Sequence, residues 1–345
     1  MNLNTLSIKI LIIIYSISGV ALFQKSVVSI DMGGTKVLAS VINSKDGIIS
    51  RIKIPTDPGS SEKEYISSLA GVVKDVVAEA DIDEKNIEAV CLGVAGSVNP
   101  FTGIIDFAPN LGLKNFNIKE KLQSKISFPV LIENDVNLAA LGIKKFGVAK
   151  KAINMLAVFI GTGIGGGLIL NGKIYRGSGF AAGEIGHVLV NKNGPVCGCG
   201  KRGCFEAIAS RSAIVNRIID DIKSGKKSTL ADEVKAGIRI KSKTLAMAVQ
   251  DNDKVAINRV TAGSMVIGGV LASLSNFMNF DMIVLGGGMF EQLKDFMMPI
   301  IESSFNDHIL NAAAKGLELV PSKLGGDAAL WGGMALAEEF LGVKV

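Results

Sequence analysis

Two stretches about 130 residues apart share one plan: an apolar strand, a glycine turn and a returning strand. In the first, residues 26–30 run into Asp31-Met32-Gly33-Gly34-Thr35-Lys36 and return through residues 37–42. The turn Lys45-Asp46-Gly47 then leads to a third strand at 48–54. In the second, residues 155–160 enter Gly161-Thr162-Gly163-Ile164-Gly165-Gly166-Gly167. Residues 168–170 return, and an Asn171-Gly172 hairpin leads to a strand at 173–175. A strand follows each glycine turn, so these are not the helix-opening loops of Rossmann or P-loop proteins. A hairpin tip that exposes backbone N–H groups beside an Asp and a Thr suits a phosphate with a metal ion nearby, although each tip read singly is only a turn. The pair predicts an internal duplication, with one phosphate-contacting hairpin per domain facing a shared cleft.

Between the hairpins the pattern predicts a helix over 65–80 and a strand over 89–94 that ends in Ala95-Gly96-Ser97. A loop comes next, holding Asn99-Pro100, Thr102-Gly103 and Pro109-Asn110-Leu111-Gly112. The strand at 129–132 then delivers Glu133-Asn134-Asp135-Val136-Asn137 at its C-terminal edge, where open α/β sheets place ligands, and a helix over 138–146 continues. The crossover to the second domain is expected near 147–153. Beyond residue 209 the chain reads as helical, over 210–223, within 230–248 and over 254–280. A short buried strand at 282–285 opens onto Gly286-Gly287-Gly288-Met289 before another helix. Those glycines admit either a flat ring or phosphate near the backbone, or close helix–strand packing. The helix over 330–340 is expected to pack back on the first domain.

Three of the four cysteines and one of the two histidines fall in Gly183-Glu184-Ile185-Gly186-His187 and in the run from Cys197 to Glu206. Cys197, Cys199 and Cys204 with His187 supply three sulfurs and one nitrogen, the soft tetrahedral set of a closed structural Zn2+ site. Glu184 and Glu206 are not needed by such a site, so a zinc-fixed loop could present them to a polar ligand. The leftover Cys91 lies in an apolar strand and fits a reducing compartment better than a disulfide framework.

A net charge of +5, with no Lys/Arg block, gives no nucleic-acid-binding face. Residues 10–24 are uncharged and mostly apolar, which resembles a secretory leader and is short for a membrane span. The preferred reading treats residues 1–24 as an extension arising from a start codon placed too early, because the chain from Lys25 onward reads as a cytoplasmic, nucleotide-using enzyme.

Together these motifs resemble the ROK family, which groups repressors and sugar kinases within the actin, hexokinase and heat-shock ATPase superfamily. The motifs that carry the resemblance are the Asp31–Lys36 turn, Glu133-Asn134-Asp135, the glycine run from Gly161 to Gly167, Gly183 to His187, the cysteine run ending in Glu206, and the glycines after Leu285. The resemblance implies an α/β, two-domain actin-like ATPase fold, a duplicated ribonuclease H-like unit with an inter-domain cleft. Residues 25–150 with the C-terminal helix 328–345 would form one domain and 151–327 the other. It further implies ATP-dependent phosphorylation of a hexose. Asp135 would be the general base on the attacking hydroxyl. Asn134, Glu184, His187 and Glu206 would hold the sugar, with Ser97 and Asn110 as weaker candidates. Asp31 would sit by Mg2+. Gly33, Gly34, Thr35, Lys36, Gly161, Thr162 and Gly163 would line the phosphates, and Gly286, Gly287 and Gly288 the adenosine side. His187 would also ligate zinc.

Glucose is the first expectation for the substrate, with N-acetylmannosamine or N-acetylglucosamine as the alternative and fructose or allose behind them. A homodimer is the family habit. A sugar-sensing regulator is the competing class, disfavoured because the stretch ahead of Asp31 is apolar rather than helix-turn-helix-like.

Overall fold

The computed structural model describes residues 25–57 and 59–344, so the readings made on residues 1–24 lie outside it. The first hairpin becomes an antiparallel meander of β1 (Ser26–Met32), β2 (Lys36–Asn43) and β3 (Gly47–Pro55). Helix α1 (Glu62–Ala80) crosses over it. It starts at a capping box in which Ser61 and Glu64 bond each other's backbone N–H, and stops at Asp81, whose φ of 51° is left-handed. Its many valines are poor helix formers, and burial of Leu69, Val73 and Val76 overrides that propensity. β4 (Ile87–Val94) then pairs parallel with β1.

The stretch expected to be a loop is instead a small antiparallel sheet of β5 (Ser97–Asn99), β6 (Ile104–Ala108) and β7 (Leu113–Asn117). Val98, Ile105 and Phe116 anchor it in the core, and the Asn99-Pro100 and Pro109-Asn110 steps are its turns. After α2 (Ile118–Gln123), β8 (Val130–Asn134) completes the first five-stranded sheet in the order β3-β2-β1-β4-β8. Helix α3 (Asp135–Lys145) starts three residues earlier than its apolar periodicity suggests. Asn134 is its N-cap, accepting from the Val136 and Asn137 N–H groups at 2.9 and 3.0 Å.

The second half repeats the plan. β9 (Met155–Ile160), β10 (Ile164–Leu170) and β11 (Lys173–Ile174) form the meander. The glycine turn is only Gly161 to Gly163, and Gly165 to Gly167 lie inside β10, where a strand was not expected. They are small because α3 lies against them: a Cβ at Gly165 would sit 2.7 Å from Val136 Cγ2, and one at Gly167 2.6 Å from Ala140 Cβ. Asn171 and Gly172 turn the hairpin with φ of 52° and 75°, as their sequence predicts.

An irregular stretch then leads into α4 (Phe205–Ala209) and α5 (Arg211–Lys223). The single helix expected within 230–248 is two, α6 (Ala231–Lys235) and α7 (Ser242–Gln250), separated at Gly237 with φ 68°. Helix α8 (Lys254–Met278) is, among the described residues, long and apolar enough to cross a membrane. Here it is a core helix: Val260, Ile267 and Leu271 are buried. β12 (Met282–Gly286) joins parallel to β9, and α9 (Gly288–His308) packs on α8. After α10 (Asn311–Ala314), β13 (Glu318–Pro321) closes a second sheet in the order β11-β10-β9-β12-β13. Order and strand directions match the first sheet position for position, which is the duplication read from the hairpins.

The last helix, α11 (Ala328–Leu341), returns to the first sheet and lies against α3, β1 and β4. Glycines set its approach: a Cβ at Gly332 would fall on the Leu138 carbonyl, one at Gly142 on the Ala328 carbonyl, and one at Gly333 on Ser29 Oγ. Because backbone rather than flexible side chain blocks the space, Gly332→Ala is expected to destabilise the protein by about 1–3 kcal/mol in urea unfolding. Gly179→Ala, where an added Cβ meets nothing within 4 Å, should be neutral. Equal stability of the two variants would refute this account of the α3–α11 contact.

Candidate functional site

The first hairpin tip is held from outside. Thr56 Oγ1 donates to the Gly33 carbonyl at 2.7 Å and the Thr56 N–H to the Thr35 carbonyl at 3.1 Å. Thr35 and Lys36 remain exposed at the tip, while Asp31, the penultimate residue of β1, is half-buried. A Cβ at Gly34 would lie 2.7 Å from Asn110 Cβ, so Asn110, itself exposed, rests directly on the Gly33-Gly34 turn.

Asp135 occupies the first turn of α3, and its carboxylate accepts from the Val136 N–H at 3.0 Å. The preceding Asn134 also donates through Nδ2 to the Gly96 carbonyl at 3.0 Å, which brings the start of β5, with Ser97, to the same edge. A helix N-terminus favours a carboxylate. Here that effect is outweighed: burial, reinforced by the negative charges of Asp31 and Glu184, pushes Asp135 up to about 7. Burial also raises Asp31, with Lys36 opposing it. The carboxylates of Asp31 on β1 and Glu184 on the loop before α4 thus both bear on Asp135, a group of three. Hydroxyl donors and a cation are the ligands such a group accepts.

The second hairpin tip is held by the loop that follows it. Glu206 Oε2 accepts from the Ile164 N–H at 2.9 Å, and Gly163 leaves room for that carboxylate, which an added Cβ would strike. Arg211 donates from Nη2 to Thr162 Oγ1 at 2.7 Å and from Nη1 to Ser242 Oγ at 3.2 Å. Gly161 faces Gly288, whose N lies 3.8 Å from where a Gly161 Cβ would be. Gly287, at φ 94°, must be glycine because a side chain there would meet the Ile160 backbone. Close helix–strand packing is thus realised at this turn, and Gly288 still opens toward Ser242. On the far side of Arg211 lies a cavity of about 340 Å³, walled by Arg211, Asn216, Lys223, Ile238 and Arg239.

The donor atoms of His187, Cys197, Cys199 and Cys204 all lie within 4.8 Å of one another. Cys199 Sγ and Cys204 Sγ are 3.7 Å apart, as are Cys197 Sγ and His187 Nδ1. Two thiolates on one tetrahedral zinc with bonds of about 2.3 Å would sit about 3.8 Å apart, so the donor set fits that ion. Burial pushes the Cys197 thiol up to about 12, a state that a bound dication reverses. His187 turns Nδ1 to the cluster and Nε2 toward Glu184, 3.7 Å away.

The expected site residues therefore fall on the two hairpin tips, with the Gly286 turn beside the second, on the start of α3 and on the cysteine loop, while Ser97 and Asn110 come from the small sheet of β5 to β7. Thr56, Arg176 and Arg211 were not anticipated as parts of the site, and no spacing in the sequence marks them; Glu133 was read within the Glu133-Asn134-Asp135 motif but given no role.

A family model described as the ROK family matches residues 27–340. A glucokinase of Halalkalibacterium halodurans is 32% identical over 314 residues, 90% of this chain and 94% of that protein. The xylose repressor of Bacillus subtilis is 32% identical over 232 residues, 66% of this chain and 56% of its own length. The crystal structure of a ROK family glucokinase from Streptomyces griseus, in complex with glucose and AMPPNP, superposes with a TM-score of 0.78. It is 28% identical, over 91% of this chain and 99% of that one.

The raised Asp135 has a signed consequence for stability. Below about pH 4 the carboxyl is protonated in both folded and unfolded chains, and its environment costs nothing. Between about pH 4 and 7 only the unfolded chain ionises, so stability falls as pH rises. Asp135→Asn is therefore expected to equal the parent near pH 4 and to exceed it by about 1–3 kcal/mol at pH 8, in urea unfolding at each pH. No gain at pH 8 would contradict the carboxylate cluster. At the cysteine cluster, purified protein should carry a single equivalent of zinc by plasma emission spectrometry, and Cys204→Ser should lose it.

Proposed function

The chain belongs to the ROK family, and from that premise we propose that it is a sugar kinase. In this reading it transfers the terminal phosphoryl group of ATP to a hexose, glucose first, at the 6-hydroxyl. The observation that carries this reading is the position of Asp135: half-buried, on a helix start pressed against β10, facing Asp31 and Glu184 between two phosphate-type hairpins. Phosphoryl transfer asks for in-line positioning and charge neutralisation more than for covalent chemistry. Asp135 accepts the proton of the attacking hydroxyl, and a base poised near 7 suits that task at neutral pH. Asn134, Glu184, His187 and Glu206 bond the remaining hydroxyls, with Ser97 and Asn110 at the rim. The hairpin glycines with Thr35, Lys36, Thr162 and Arg211 receive the phosphates. Gly286, Gly287 and Gly288, with the cavity beside Arg211, take the adenosine side. Mg2+, when bound, neutralises phosphate charge, and Asp31 is the residue placed to hold it. Zinc, held by His187 and the three cysteines, fixes the loop that presents Glu184 and Glu206.

On the same reading, residues 25–150 with 328–345 and residues 151–327 act as two domains that close over the sugar and exclude water. The enzyme is cytoplasmic and dimeric. The relation to xylose repressors keeps a sugar-sensing role as the alternative class. Against it stand Asp135 and the two hairpin tips, which sugar sensing alone does not require. An N-acetylated amino sugar is the alternative substrate.

The test is ADP release with ATP and a panel of glucose, N-acetylglucosamine, N-acetylmannosamine, fructose and allose, on protein lacking residues 1–24. Turnover of one sugar is expected, with kcat rising toward a plateau as pH passes about 7 and falling at least 10²-fold in Asp135→Asn. Silence across the panel from folded, zinc-loaded protein would refute the kinase reading.

A further inference from the structure

Glu133 lies one residue before the Asn134-Asp135 step and is 1% exposed. Its two carboxylate oxygens face different ways. Oε1 accepts from the Asn134 N–H at 3.0 Å and from Asn137 Nδ2 at 3.1 Å, so it grips the first turn of α3. Oε2 accepts from Arg176 Nε at 2.6 Å. Arg176 belongs to the other half of the chain, two residues beyond β11. A carboxylate so deeply buried is tolerable only with a cation beside it and with its lone pairs used, and Arg176 is the cation.

Arg176 does more than neutralise. Its side chain is 11% exposed, and Nη1 donates to Glu339 Oε1 at 2.8 Å on α11. The guanidinium carbon lies 5.6 Å from the centre of the Phe340 ring. Its main-chain carbonyl accepts from the Ala182 N–H at 3.0 Å, closing the short loop that feeds directly into Gly183 and Glu184. Within that loop Phe180, at φ 57°, places its ring 5.8 Å from Phe101, and Phe101 lies 5.7 Å from Phe340. One residue thus touches both walls of the site through different atoms: the Asp135 turn through its side chain and the Glu184 loop through its backbone.

We propose that Arg176 is a positioning residue that sets the register between the Asn134-Asp135 turn and the Glu184 loop. It acts through Glu133 and touches no reacting atom. The inference rests on the kinase reading of Asp135, and it adds a part that the motifs do not contain. With Arg176 gone, the buried Glu133 Oε2 loses both its cation and its donor, so the carboxylate must turn away or draw in water. Either change loosens the grip of Oε1 on the first turn of α3 and lets that turn shift relative to Glu184. A shift on the order of 1 Å at a reacting group can cost about 10²-fold in rate.

The experiment compares Arg176→Ala and Arg176→Lys with the parent. It measures kcat, the KM for ATP, and sugar Kd by calorimetry without nucleotide, using the sugar that the parent binds best. Arg176→Ala is expected to lower kcat about 100-fold and weaken sugar binding about tenfold, with the KM for ATP unchanged. Arg176→Lys restores a cation to Glu133 but not the planar fork, so it should recover about tenfold in kcat over the alanine variant. If the alanine variant does not fold, Arg176→Lys decides alone: it should lose about tenfold in kcat. Parent-like kcat and Kd in the lysine variant, or a change confined to melting temperature, would overturn the proposal. The kinase reading fails separately, if the parent binds sugar and does not phosphorylate it; the comparison of sugar Kd values then still judges Arg176.

Discussion

Helix α3 is seated between two glycine-lined surfaces, and the geometry of the site follows from that seating. On one side Gly165 and Gly167 of β10 admit Val136 and Ala140; on the other Gly142 meets α11 at Ala328 and Gly332. Backbone lines the α11 contact and the short, stiff Val136 and Ala140 side chains the β10 contact, so the spacing has little freedom to relax. The first turn of α3 carries Asp135. A helix clamped on both flanks therefore delivers one carboxylate to the edge of the second hairpin with small positional freedom, the condition under which a general base is useful.

The electrostatics have the same origin. A helix N-terminus would ordinarily hold an aspartate ionised. Burying it, beside Asp31 of β1 and within reach of Glu184, reverses the preference and leaves Asp135 poised near 7. That arrangement opposes stability in the empty protein, as functional sites commonly do. Glu133 shows the opposite solution two residues away: a fully buried carboxylate made tolerable by Arg176 and two amide donors. Two acidic residues of one motif thus meet opposite environments, one neutralised and one not.

Much of this was legible in the sequence. The two hairpins gave the duplicated sheets, because strand, glycine turn and strand is a local pattern whose outcome local sterics decide. The cysteine spacing gave the zinc-type cluster for the same reason. The start of α3 was misplaced because Asn134 reads equally as a polar strand end and as a helix cap, and only the bonds it makes distinguish the two. β5 to β7 were hidden by being three to five residues long between Pro and Gly steps. Gly165 to Gly167 read as turn, since nothing local announces that a helix will press on them. Thr56, Arg176 and Arg211 act on residues 23, 43 and 49 positions away, and a single polar residue carries no periodicity to betray such a partner.

The central claim is that Asp135 serves chemistry rather than binding. The direct measurement is phosphorus-31 NMR of glucose with ATP and Mg2+, run beside calorimetric glucose binding, for the parent and Asp135→Asn. The account predicts a glucose 6-phosphate resonance with the parent, none with the variant on the same timescale, and glucose Kd values within about tenfold of each other. A variant that makes sugar phosphate at the parent's rate, or a parent that binds glucose and ATP and makes none, would contradict it.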